Sequence, residues 1–237
     1  MQNATRCTLD RRSSEDTMGL VSVETNMSAP MPDLALSRED MAVWLWLVSK
    51  GIANALSGLS QMVGHEIKVT SLDLKQLPAK DAAGLLGGAD APGIGIYLSI
   101  EGDATGHLLL IHEPKIAFQF IDLQLGLALG STNKIEEMGR SVLGEMGNIT
   151  GAFFLNILAD SADLVLMPSP PSVIVDIVGA IMSIPFGSIE KVQDDAIVVK
   201  ATFNADDRQM EGMFMVLPTM DFMNTVLSRS RGKLTPA

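Results

Sequence analysis

Two stretches of this chain, 106 residues apart, are written in one pattern. Gly106-His-Leu-Leu-Leu-Ile is followed by Phe118 and Ile121, and Gly212-Met-Phe-Met-Val-Leu by Asn224 and Leu227. Few identities survive between them, but a constant offset in an apolar pattern marks an internal repeat. The surroundings agree. Ser37, with Asp40 three residues on, predicts the cap of a helix over 38–64. Strand-like runs follow at 67–74, 93–101 and 106–111, the middle one alternating through Ile94, Ile96, Leu98 and Ile100. Pro114 predicts the start of a helix over 115–125, and the glycine-bearing stretch 79–92 reads as loop.

The second half follows the same order. Asn133 with Glu136 predicts a long helix over about 134–159. A strand at 163–167 comes next, and after the corner Ser169-Pro170-Pro171-Ser172 a helix over 172–182, since prolines are tolerated in a first turn. Strands at 192–204 and 212–217 flank a polar turn at 205–209, and a helix over 218–227 closes the chain. Two helix-plus-hairpin halves, each with one apolar sheet face, bury those faces best in a single antiparallel sheet under helices. The expectation is an α+β fold of duplicated halves at about 37–130 and 131–230, within one domain over 37–230. Residues 1–36 read as a mobile tail and 231–237 as a short C-terminal one.

Composition removes several functions. Lys and Arg number 17 against 28 Asp and Glu, a net charge of −11, which opposes a nucleic-acid binder and favours a partner presenting positive charge. One cysteine, Cys7, excludes an internal disulfide framework and a multi-cysteine zinc site. His65, His107 and His112 stand apart, without an acidic ligand cluster, so no resident metal is expected. The apolar stretch 41–63 carries Lys50 at its centre, no uncharged run reaches the ~18 residues of a span, and no leader opens the chain. No membrane insertion and a cytoplasmic location are the expectations. Met210, Met213, Met215, Met220 and Met223 could suggest a small-molecule sensor, but methionines so spaced read better as core filler.

The chemistry is concentrated in the second long helix. Ser141, Glu145 and Asn148 stand at i, i+4 and i+7, on one stripe, while Val142, Met146, Ile149 and Phe153 form an apolar band elsewhere. Such a stripe alone is most simply a solvated face. Two details argue for more. Asn is a mediocre mid-helix residue, and Gly144, Gly147 and Gly151 each cost ~1 kcal/mol relative to Ala. Bare backbone there serves either a close intramolecular packing or the approach of a partner protein, with equal weight on both.

Ser-x3-Glu-x2-Asn, then twenty-two residues and Pro, is met by Ser141, Glu145, Asn148 and Pro171. With Gly147-Asn-Ile-Thr-Gly151 and Val175-Asp-Ile-Val-Gly-Ala-Ile181, it resembles the CheC/CheX/FliY family of chemotaxis phosphatases. A chance match of this kind in a chain this long is roughly one in several hundred. The resemblance spans about 37–230, strongly in the second half and by pattern in the first, and implies a CheC-like fold with pseudo-twofold symmetry. Aligning Gly58-Leu-Ser-Gln-Met62 with the family places Ala42, Trp46 and Ser49 at the first-half motif positions and Leu72 at the proline. On this placement the resemblance implies that the first-half site is degenerate. Trp44 and Trp46 point ~200° apart on a helix; one fits the core and the other a contact for a partner or second subunit, with burial of both left open.

The resemblance implies hydrolysis of the aspartyl phosphate of a CheY-like response regulator, which brings its own Mg²⁺. Asn148 would position the attacking water, Glu145 would dock the regulator through a lysine, Ser141 would be a contact residue and Pro171 would shape the corner beside the helix. The alternative is a non-catalytic scaffold that binds a regulator or a receptor complex. CheD, which CheC-type proteins also bind, is a further partner the resemblance leaves open, as is a homodimer. FliY-type chains add a flagellar-switch domain after this core; the length here leaves no room for it, so a flagellar structural role is the less expected.

Overall fold

The computed structural model describes residues 23–25, 38–64, 66–187, 195–205, 208–218 and 220–230. In chain order these form β1 (Val23–Thr25), α1 (Arg38–Val63), β2 (Ile67–Pro78), a 3-10 segment (Ala79–Leu86), β3 (Pro92–Gly102), β4 (Gly106–His112) and α2 (Pro114–Gln124). The second half supplies α3 (Glu137–Ala162), β5 (Leu166–Pro168), β6 (Ser172–Ile177), α4 (Val178–Gly187), β7 (Asp195–Ala205), β8 (Arg208–Pro218) and α5 (Met220–Ser230). The mixture of helices with antiparallel pairing is the α+β fold expected.

Among the described residues the strands join in one sheet ordered β1-β2-β7-β8-β4-β3-β5, with β6 also pairing β3. The repeated strands of the two halves are immediate neighbours: β4 pairs β8 antiparallel, Gly106 opposite Pro218 and Ile111 opposite Met213. Each hairpin is completed by a strand of the other half, β2 on β7 and β6 on β3. Alternation assigns the two faces. Ile94, Ile96, Leu98, Ile100, Leu108, Leu110, Phe214 and Val216 meet α1, α2, α3 and α5 in the larger core. Leu109, Ile111, Val198, Met213 and Met215 point the other way, onto α4 and the 3-10 segment. Met213, Met215 and Met223 are buried, as core filler should be.

The structure corrects several boundaries. Residues 79–86, expected as loop, are helical, and Ala82 and Ala83 bury against the second core. Val23–Thr25, placed in a tail, pair parallel with β2 at Leu72–Leu74; the rest of 1–36, Ser37, and 231–237 lie outside the described residues. The expected capping by Asn133 and Glu136 does not form: α3 starts at Glu137 after an extended Glu136 with no side-chain cap. Residues 163–165 leave the expected strand because Asp163, in left-handed conformation (φ 53°), closes α3. The larger error is at 172–177, expected as helix. Val173, Ile174, Val175 and Ile177 are β-branched, and the free edge of β3 takes them as a strand from Tyr97–Ser172 to Pro92–Ile177. The helix begins only at Val178.

α1 and α3 are long and apolar enough to cross a bilayer by length and composition, but about half of each is buried inside the fold.

Candidate functional site

α3 is clamped on three sides. Toward α1, Asn54 Nδ2 donates to Phe153 O at 2.6 Å. A Cβ on Gly58 of α1 would fall 2.8 Å from the Phe153 ring, so the two helices meet through glycine. Toward α2, a Cβ on Gly139 would come 3.0 Å from Ile121 Cδ1. Toward the sheet, a Cβ on Gly147 would collide with Ile96 Cγ2, and one on Gly151 would lie 3.2 Å from Leu98 Cδ2. At Gly147 and Gly151 the bare backbone is therefore spent inside the chain, on close packing of α3 against β3, whereas a Cβ on Gly144 would meet only Pro171, at an ordinary 3.8 Å.

The fourth side faces solvent. Ser141, Glu145 and Asn148 are all exposed, in one line along it. Asn148 follows Glu145 by ~4.5 Å along the axis. Pro171, half-buried, borders this line: it would lie 3.8 Å from a Cβ on Gly144 and 3.4 Å from one on Gly147. Its corner is held from both sides. Ser99 N–H donates to Ser169 Oγ and Ser169 N–H to Ser99 O, each at 2.9 Å, binding the corner to β3. Arg140 Nη1 donates to Val173 O at 2.7 Å, binding it to α3. The four motif residues thus share one ridge, formed by a helix and the corner packed on it. Arg140 was not legible as part of the site, because a backbone acceptor 33 residues away leaves no mark in a pattern.

The first-half positions form a different surface. Ala42 is exposed, while Trp46 and Ser49 are half-buried on α1. Lys50 Nζ stands 4.0 Å above the Trp46 ring, a cation–π contact. Leu72 lies on β2 between Val23 and Ala201. Trp44 is fully buried, edge-on to Phe222 at 5.7 Å, so the two tryptophans divide as their angular separation suggests. This surface offers neither a carboxylate nor an amide at the motif positions.

Among the described residues no three His, Cys, Asp or Glu side chains come together as a metal site would need. His107, His112 and Asp122 belong to β4 and α2, not to α3 or the Pro171 corner. His112 is fully buried on β4, and burial depresses its pKa to about 4. His107 is also lowered by burial, and its Nδ1 shares a 2.6 Å hydrogen bond with Tyr97 OH. Burial pushes the Asp122 carboxyl up, but hydrogen bonds from Thr132 Oγ1 and from the backbone N–H groups of Gly130, Thr132 and Ser131 outweigh it and hold it below the ordinary range.

Residues 138–175, which hold the whole ridge, match the CheC-like family. The chain is 32% identical over 194 residues to the CheY-P phosphatase CheC of Bacillus subtilis (strain 168), covering 78% of this chain and 91% of that protein. This chain belongs to the CheC-like family. The crystal structure of Thermotoga maritima FliY superimposes with a TM-score of 0.66 at 17% identity, over 85% of this chain and all of that one. The middle domain of Helicobacter pylori FliM does so with a TM-score of 0.55 at 15% identity, over 82% and 99% of the two chains. These structures share the CheC-like fold.

Proposed function

We propose that this CheC-like chain is a phosphatase of a phosphorylated CheY-like response regulator in chemotaxis signalling, and that Asn148 and Glu145 are its working residues. The observation that carries this reading is the alignment of Ser141, Glu145 and Asn148 on the one open side of an otherwise immobilised helix. The relative named CheY-P phosphatase supports the reaction class.

The substrate brings the acyl phosphate and the Mg²⁺ bound with it, so this chain has to supply position rather than a metal. Phosphoryl transfer passes through a loose transition state in which alignment of the attacking water counts for more than a strong base. A carboxamide offers one donor and one acceptor and does not titrate. Asn148 therefore holds the water in line behind the phosphorus at any pH at which the chain is folded. Glu145, one turn earlier, pairs with a lysine of the regulator and fixes the approach. That charge-assisted bond is screened while exposed and strengthens as the complex excludes water. Ser141 contacts the regulator, and Pro171 sets the height of the corner beside Asn148. A net charge of −11 accelerates encounter with a basic rim at low salt.

Release of inorganic phosphate from a phosphorylated CheY-like protein, with and without the chain, tests the reading. Acceleration supports it. Binding with no acceleration replaces it by the scaffold reading, in which the same ridge only docks the regulator and a CheD-type partner joins elsewhere.

A further inference from the structure

We propose that Met138 and Val175, two exposed apolar side chains flanking the N-terminal end of the Ser141–Glu145–Asn148 line, are specificity-determining contacts for the regulator; this rests on the functional reading above.

Eight positions of α3 are exposed: Glu137, Met138, Arg140, Ser141, Glu145, Asn148, Asn156 and Asp160. Seven of them are polar. Met138 is the exception, and at 65% exposure it is the most open of the large apolar side chains among the described residues. It stands two turns before Glu145 and, at 100° per residue, ~20° from it in projection. An isolated exposed apolar residue is ordinary, but this one extends the line of motif residues.

Val175 stands on β6, the strand that follows the Pro171 corner. Val173 and Val175 share the helix-side face of β6, and Val175 lies opposite Ile94 of the larger core. Gly147 meets Ile96, which pairs with Val173, so Val175 lies two residues, ~7 Å, along β6 from the level of Gly147, and Met138 lies ~13 Å along α3 in the same direction. Val173 packs against the core, whereas Val175, beyond it, is 54% exposed. Both side chains thus lie on the N-terminal side of Asn148, one on the helix and one on the strand beside the corner. The occupant is a protein surface with apolar residues beside its phosphorylated carboxylate. Glu145 and Asn148 act on groups every phosphorylated regulator has, while an apolar rim reads what differs among them.

Met138→Ser, Val175→Ser and the double variant are compared with Met167→Ser, an exposed apolar position on β5 whose neighbours Leu166 and Pro168 turn toward the helices, so that Met167 faces away from them. Losing each contact raises KM for the phosphorylated regulator, by ~10-fold in the double variant, with kcat within about twofold of the parent. Met167→Ser leaves both constants alone. Unchanged KM in the double variant, or a fall in kcat alone, overturns the inference. Thermal melts of the three variants confirm that the fold is kept. If the parent chain releases no phosphate, the functional reading falls; the Kd of the same variants for regulator carrying a non-hydrolysable acyl-phosphate mimic then decides the contact, an unchanged Kd overturning it.

Discussion

Gly147 and Ile96 touch backbone to side chain, with no space between them for even a methyl group. Ile96 is fully buried and cannot move aside. This contact sets how deeply α3 sits on β3, and so where Asn148, the next residue, stands relative to Pro171. Gly147→Ala gains up to ~1 kcal/mol of helix propensity and meets an overpacking cost of ~1–3 kcal/mol. A net loss of about 1–2 kcal/mol is expected, with a fall in phosphatase activity larger than the loss of folded protein explains. Gly144→Ala is the control, because its Cβ would meet Pro171 at an ordinary 3.8 Å. It is expected to stabilise the chain by up to ~1 kcal/mol. Urea unfolding of both variants, alongside their phosphate release, checks the pair.

Asp122 bolts down the loop that leads into α3. One carboxylate oxygen accepts from Gly130 N–H at 2.6 Å and the other from Thr132 N–H at 3.0 Å and Thr132 Oγ1 at 2.6 Å. Asp122→Ala strands three donors and is expected to cost about 2–3 kcal/mol. Hydrogen exchange should accelerate first at the amides of Gly130 and Thr132. Retained protection there would show that the loop is held by something else.

His112 ties stability to pH. Its folded pKa of about 4 lies below the 6.5 of an unfolded histidine, so below pH 6.5 the unfolded chain binds a proton that the folded chain refuses. The stabilisation is complete above pH 6.5 and is lost as pH falls toward 4. The difference amounts to on the order of 3 kcal/mol. His112→Phe, beside Phe120, should flatten the stability profile between pH 6.5 and 5 relative to the parent. Parallel profiles for the two proteins would contradict the assignment.

Most of the architecture was legible where period and turn chemistry agreed. Ile94 to Ile100 alternate and are a strand; Pro114 starts a helix; the 106-residue offset placed two strands that became neighbours. The line of Ser141, Glu145 and Asn148 followed from helical spacing alone, and its exposure agrees. Three things were not legible. Ser172–Ile177 reads equally well as a buried helix start, and only the free edge of β3 decides for a strand. The loop before α3 is anchored on the buried Asp122, eight and ten residues back, and the helix starts without a side-chain cap. The choice between internal packing and a partner at Gly147 needed Ile96, some fifty residues away in the chain. Each depends on a contact distant in sequence, which periodicity does not carry.

In the proposed mechanism the Asn148 carboxamide aligns water on the phosphoryl group of a docked regulator. Single-turnover loss of phosphate from phosphorylated regulator, at saturating Asn148→Ala variant, is the decisive measurement. The expected rate is ~10²-fold or more below that of the parent chain, with Kd for the regulator and the thermal melt both unchanged. Dephosphorylation by Asn148→Ala at the parental rate would contradict it.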